Sequence, residues 1–150
     1  MTSRSLLAAT ALATALIGFA PASHAQTAAP KYFFEGDIVR SGLCVLNSQF
    51  KRGERIAFRV RVQDPKGQPA DDKKLKSLVV QLPDGKQFPM KYGAHPPGGN
   101  EDHFWSASWG IPADYPTGAF GYKIVATDTD NQTQTWAPFA VAKSQLTITE

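Results

Sequence analysis

Residues Phe50 to Pro65 read FKRGERIAFRVRVQDP, and the order of side chains within this stretch decides the fold. Ile56, Phe58, Val60 and Val62 alternate with Arg55, Ala57, Arg59 and Arg61. That is the period-2 pattern of a strand with one dry face and one wet face. The stretch therefore predicts a core strand over Arg55 to Val62. The polar turn Lys51-Arg52-Gly53-Glu54 launches it, and Asp64-Pro65-Lys66-Gly67 ends it, where proline presets one dihedral and glycine accepts a positive one.

Working outward, the same reasoning finds strands on both sides. Lys31 to Val39 is extended but has no clean alternation, and after a Ser41-Gly42 turn Leu43 to Asn47 reads as a second short extended piece. Pro69 to Lys76 is charged and has room for one helical turn. Leu78 to Leu82 and Lys86 to Met90 flank Pro83-Asp84-Gly85, and Asp-Gly between two apolar runs is a hairpin signal. Tyr92 to Asp102, YGAHPPGGNED, is expected to be irregular. Phe104 to Trp109, Ala119 to Thr127 and Thr133 to Val141 are the remaining expected strands, the last anchored by Trp136 and Phe139. The predicted core is Trp105, Trp109, Trp136, Phe58, Val60, Tyr122 and Ile124. Short strands separated by turn signals roughly every 8 to 12 residues predict an all-β, antiparallel sandwich of about seven to eight strands.

Two runs carry a family resemblance. From Lys51 onward, KRGERIAFRVRVQDPKGQPADDKKLKSLVVQLPDG is similar to immunoglobulin-like and macroglobulin-type β-sandwich modules of bacterial secreted proteins. In those modules a Gly-Glu turn, a strand, an Asp-Pro-x-Gly-x-Pro turn and a strand ending in Pro-Asp-Gly recur. IPADYPTGAFGYKIVATDTDNQT resembles their penultimate strand. The resemblance implies an immunoglobulin-like sandwich and a binding or accessory role, and it supplies no catalytic residue. The chain departs from antibody domains in lacking paired cysteines with a tryptophan between them.

Residues 1–25 read as a cleaved secretory signal. Arg4 is the positive charge, Leu6 to Phe19 the apolar run, and Ser23-His24-Ala25 the small-residue end. A flexible leader over 26–30 and a single domain over 31–150 are expected to follow. The implied location is periplasmic or secreted, and the apolar run is too short to span ~30 Å of hydrocarbon as a helix. With 16 Lys and Arg against 13 Asp and Glu, the net charge of +3 is too small to call for nucleic acid. Its distribution is uneven, because Lys51 to Lys91 carries eleven of the basic residues and five of the acidic ones. The expected partner is another periplasmic or secreted protein.

Two candidate sites follow from residue chemistry. Cys44, Met90, His95 and His103 offer thiolate, thioether and imidazole, the ligands that copper and haem iron take. Met90, His95 and His103 fall close together in sequence. Cys44 joins them only if Ser41-Gly42 is a hairpin and every later connection reverses the chain. The second candidate is the cationic back of the central strand, Arg55, Arg59 and Arg61, as a surface for an acidic partner. Glu101-Asp102-His103 does not form a catalytic group, since neighbours on an extended chain point to different sides, and no enzyme is expected.

Overall fold

The central strand forms where its alternation places it, and the rest of the molecule is built from its two edges. A computed structural model describes residues 30–42, 45–95, 102–141 and 144–150. The predicted signal segment, most of the leader, and Cys44 lie outside the described residues. The described chain is all-β, with twelve strands and no α-helix. In order these are β1 (Phe33–Arg40), β2 (Val45–Leu46), β3 (Gln49–Lys51), β4 (Arg55–Gln63), β5 (Leu75–Gln81), β6 (Gln87–Pro89), β7 (Lys91–His95), β8 (Asp102–Gly110), β9 (Gly118–Phe120), β10 (Lys123–Asp128), β11 (Thr133–Trp136) and β12 (Leu146–Thr149).

Three sheets result: β2-β1-β4-β8-β7, then β11-β10-β5-β6, then β3-β12-β9. In the first, β4 pairs antiparallel with β1 (Gly36 opposite Val60) and with β8 (Phe58 opposite Ala107). Ile56, Phe58, Val60 and Val62 are all buried, as the alternation requires. The first and second sheets meet through them. The Phe58 ring lies 6.2 Å from Phe88 on β6 and 5.3 Å from Tyr122, which precedes β10. Trp109 of β8 continues the cluster to Phe88 at 5.4 Å and Tyr115 at 4.9 Å. The buried Trp105 indole N–H donates to the Ala70 carbonyl at 2.8 Å, which satisfies the one polar atom that a core tryptophan brings.

Several expectations change. Twelve strands replace seven or eight because long expected strands break where they pass between sheets. Ala119 to Thr127 divides at Gly121-Tyr122, giving β9 to the third sheet and β10 to the second. The strand expected over Thr133 to Val141 stops at Trp136, and Phe139 is 83% exposed rather than an anchor. Trp136 is half-buried. Lys91–His95, expected to be irregular, is a five-residue strand, because Tyr92 and Ala94 turn inward opposite Trp105 and His103 and β8 supplies its ladder. Pro69 to Lys76 holds a turn tied by the Lys74 and Leu75 N–H groups to the Asp71 carbonyl. The Asp84-Gly85 hairpin forms as read, with Gly85 at φ 85°.

The third sheet closes one end. Its β3 and β12 are parallel, with Phe50 opposite Ile148, both buried. At the other end Asp128, only 1% exposed, accepts the N–H groups of Asp130 and Gln132 at 2.9 Å and the Lys31 ammonium at 2.5 Å. The Lys31 contact, with these turn N–H groups, holds the Asp128 carboxyl below its usual range.

Candidate functional site

Arg59 and Arg61 project from the outer face of the first sheet, as the alternation dictates. The β1 register places carboxylates beside them, with Asp37 opposite Arg59 and Glu35 opposite Arg61. Arg59, whose side chain is 14% exposed, donates through Nε and Nη2 to the two Asp37 oxygens at 2.8 Å each. Arg61 reaches Asp102 at 3.0 Å and Glu35 at 3.7 Å. Both guanidinium groups also cover the Phe104 ring, at 5.3 and 5.1 Å. Two cations thus face three carboxylates, and the geometry is that of a charge lattice folded onto its own sheet. Arg55 stands apart at the far end of β4, exposed and without an ion pair among the described residues.

Among the described residues, those with metal-ligand chemistry do not share a point. His95 pairs with Asp102 and His103 with Ala94, so the two imidazoles leave β7 and β8 on opposite faces of the sheet. His95 meets Phe104 edge-on at 6.1 Å on the outer face. His103 lies against Tyr92 at 5.6 Å on the inner one. Met90 is buried where the chain passes from β6 to β7, its N–H donating to the Leu78 carbonyl at 2.8 Å. Cys44 is outside the described residues. Ser41-Gly42 does turn a hairpin, with Arg40 opposite Val45, and the Ser41 N–H donates to the Arg55 carbonyl. That places the turn at the end of the sheet opposite His95 and His103. The parity argument fails because Gln49–Lys51 leaves for the third sheet instead of reversing within the first. Among the described residues no group of three His, Cys, Asp or Glu is placed to hold a metal ion.

A different region gathers the exposed apolar surface. A groove of about 570 Å³ runs between the β1–β2 margin of the first sheet and β11 with the segment after it. Ile38, Leu46, Tyr122, Trp136, Pro138 and Phe139 supply its apolar lining, and Asn47, Ser48, Ser144 and Gln145 its neutral polar groups. Trp136 sits in it because Gly36 leaves room; a Cβ on Gly36 would stand 2.8 Å from the indole ring. Beneath lies Tyr122, 6.4 Å from Trp136, whose phenol is pushed up to about 12 by burial and then by the Asp37 carboxylate. A second hollow of about 510 Å³ opens on the far side of Pro138, sharing Tyr122 and Gln145.

The walls of this groove are exposed while its floor is dry. Leu46 is 64% and Phe139 83% exposed, and Val45 and Val141 stand near them in the chain, also exposed. Asp37 is the one charged residue in the lining among those described, and Arg59 already binds both its oxygens. Sequence reasoning missed this site because it made Phe139 an anchor of a strand running on to Val141. The signal available was Ala137-Pro138, which limits a ladder running on to Phe139.

No protein-family model and no curated protein matches the chain. Among solved structures it is similar to the crystal structure of a DUF4426 family protein from Pseudomonas aeruginosa PAO1. The identity is 13%, over 71% of this chain and 86% of that one, with a TM-score of 0.43.

Proposed function

We propose that this chain is a secreted, non-catalytic binding module of the immunoglobulin-like sandwich type. It takes an extended, uncharged segment of a partner protein in the periplasm into the groove beside Trp136. The signal-like residues 1–25 support the location. Two facing sheets of short antiparallel strands support the sandwich, to which the third sheet and its parallel β3–β12 pair are additions.

The observation that carries the reading is the concentration of exposed apolar side chains at one groove. Of the five large exposed apolar residues described, Leu46 and Phe139 line it, and Val45 and Val141 stand near them in the chain. Burying a side chain of this size contributes about 1.5–3 kcal/mol, and backbone hydrogen bonds of the bound segment add to that against the cost of association. The lining selects the occupant by charge. It holds no unpaired charge and has amide and hydroxyl groups suited to a peptide backbone.

Site-specific photocrosslinking in the periplasm tests this, with benzoylphenylalanine in place of Phe139 and, separately, of Arg55. The expected result is one discrete protein adduct from position 139, mapped by mass spectrometry to an uncharged extended segment of the partner. Leu46→Glu should abolish that adduct. An adduct shared equally by both positions, or none at 139, overturns the proposal.

A further inference from the structure

Among the described residues the margins of the sheets are guarded, with one exception. β2 is two residues long, and β3 and β9 are three each. β6 ends in Pro89, which has no N–H to offer. Along β11 the Gln134 side chain accepts the Tyr32 N–H and donates to the Tyr32 carbonyl. β7 is different. It ends the first sheet, runs five residues without proline, and has β8 on one side and no described strand on the other. An edge of this kind is a template for another strand.

Both faces of this edge have room for the side chains such a strand would bring. On the outer face Gly93 pairs with Phe104, and a Cβ built on Gly93 meets nothing within 4 Å. On its β7 flank the Phe104 ring therefore meets only the diagonal His95 and has no side chain directly opposite, a position that a bulky residue on an added strand can cover. On the inner face a cavity of about 470 Å³ opens between β7 and the part of β5 that β6 leaves unpaired, since β6 pairs only with Val79, Val80 and Gln81. Buried Met90 and Trp105 line it.

The charges in its lining are Lys76, Lys91 and Asp72. The Lys76 ammonium donates to the neutral Asn131 amide at 2.9 Å, and Lys91 has no ion pair among the described residues. Unlike Arg59 and Arg61, these two cations form no ion pair among the described residues, and Asp72 is the one carboxylate in the lining.

We propose that the outer edge of β7 accepts an extended acidic segment of a partner protein as an additional strand. Main-chain hydrogen bonds to β7 supply affinity and alternate side chains supply specificity. One set covers Gly93 and packs on Phe104, the other enters the cavity over Met90 and Trp105, and carboxylates meet Lys76 and Lys91. β7 and the β1–β2 margin are opposite ends of the first sheet, so this site is separate from the groove beside Trp136.

The test uses the full mature chain and three hexapeptide probes at low salt. These are acetyl-Glu-Phe-Glu-Val-Glu-Val-amide, the same peptide with Lys for Glu, and the acidic peptide with alternate amides N-methylated. The acidic probe is expected to shift the amide resonances of residues 91–95 and to slow their hydrogen exchange. N-methylation should weaken it, and the double variant Lys76→Glu, Lys91→Glu should cost it roughly tenfold while favouring the Lys probe. The variant's unchanged thermal midpoint serves as the folding control. Equal binding of acidic and basic probes, shifts confined to the groove or the Arg59–Arg61 face, or no binding of any probe overturns the proposal.

Discussion

The outer face of the first sheet and the groove at its margin both combine aromatic rings with polar groups, and they differ in what those groups already touch. On the face, Arg59 and Arg61 have Asp37, Glu35 and Asp102 as counterions and lie on Phe104. Any charged partner would have to displace contacts of the same kind and strength, so little net free energy remains for it. In the groove, Leu46 and Phe139 touch mainly water, and covering them returns most of their transfer free energy. Residue type alone would have ranked the two regions the other way round. What separates them is how far their groups are satisfied within the fold.

The largest expected effect comes from Gly36, which joins the two regions: its inner side seats Trp136 and its strand neighbours Glu35 and Asp37 hold the arginines. Gly36→Val should force the indole out of its seat, costing about 2–3 kcal/mol by overpacking. Chemical denaturation measures the loss. A red shift in tryptophan emission should accompany it, removed in a Trp136→Phe background. A variant that keeps wild-type stability would mean that the indole can leave its seat at no cost, and the groove would then lack a fixed wall.

Next in size is an alkaline effect confined to the groove's floor. The Tyr122 phenol has its pKa raised from 10.0 to about 12, first by burial and then by Asp37. A raised folded value means the native state holds its proton more tightly than the unfolded chain. The stabilisation is complete below pH 10 and is lost as pH rises from 10 towards 12, about 2 kcal/mol at the upper end. Tyr122→Phe should remove that part of the alkaline slope and leave the slope near neutrality unchanged. Equal slopes for the two proteins above pH 10 would show that the floor is wet.

On the face, Arg59→Met should cost about 1 kcal/mol, because a bidentate pair is lost but the Asp37 carboxylate it leaves behind is partly solvated. Arg55→Met, which breaks no ion pair among the described residues, should change stability by less than about 0.5 kcal/mol. Equal losses for the two would mean that the lattice does not distinguish them, and the contrast with the groove would weaken.

These contrasts also show which parts of the molecule could be read in advance. The burial of Ile56, Phe58, Val60 and Val62 and the Asp84-Gly85 hairpin were legible because each depends on side chains a few residues apart. The neutralisation of the arginines was not. It depends on register between β4 and β1, whose sequence has no clean alternation, and on Asp102, which ends a stretch that composition reads as irregular. The third sheet was hidden for the same reason, since Phe50 and Ile148 become neighbours only through a parallel pairing across most of the chain. Ser41-Gly42 shows the division within one motif: the turn is local and was read correctly, whereas its end of the sheet depended on where β3 goes. β7 was lost to composition, because Gly93 and the prolines after it outweighed the weak alternation of Tyr92 and Ala94.

The smallest expected change is the one that best separates the regions. Phe139→Ser removes a large apolar side chain, and in a core that would cost about 3–5 kcal/mol. At 83% exposure the ring has almost nothing to lose on the folded side, so the stability change should stay within about 0.5 kcal/mol. Its slight direction should be towards greater solubility, because an exposed ring is exchanged for a hydroxyl. If binding runs through the groove, the same substitution should abolish co-purification of the partner that the crosslink identifies, at no cost to the fold. Arg59→Met should do the reverse, lowering stability while leaving the complex intact. Should the arginine variant lose the partner and the Phe139 variant keep it, the unpaired apolar groove is not the binding surface, and the charge lattice must open to bind.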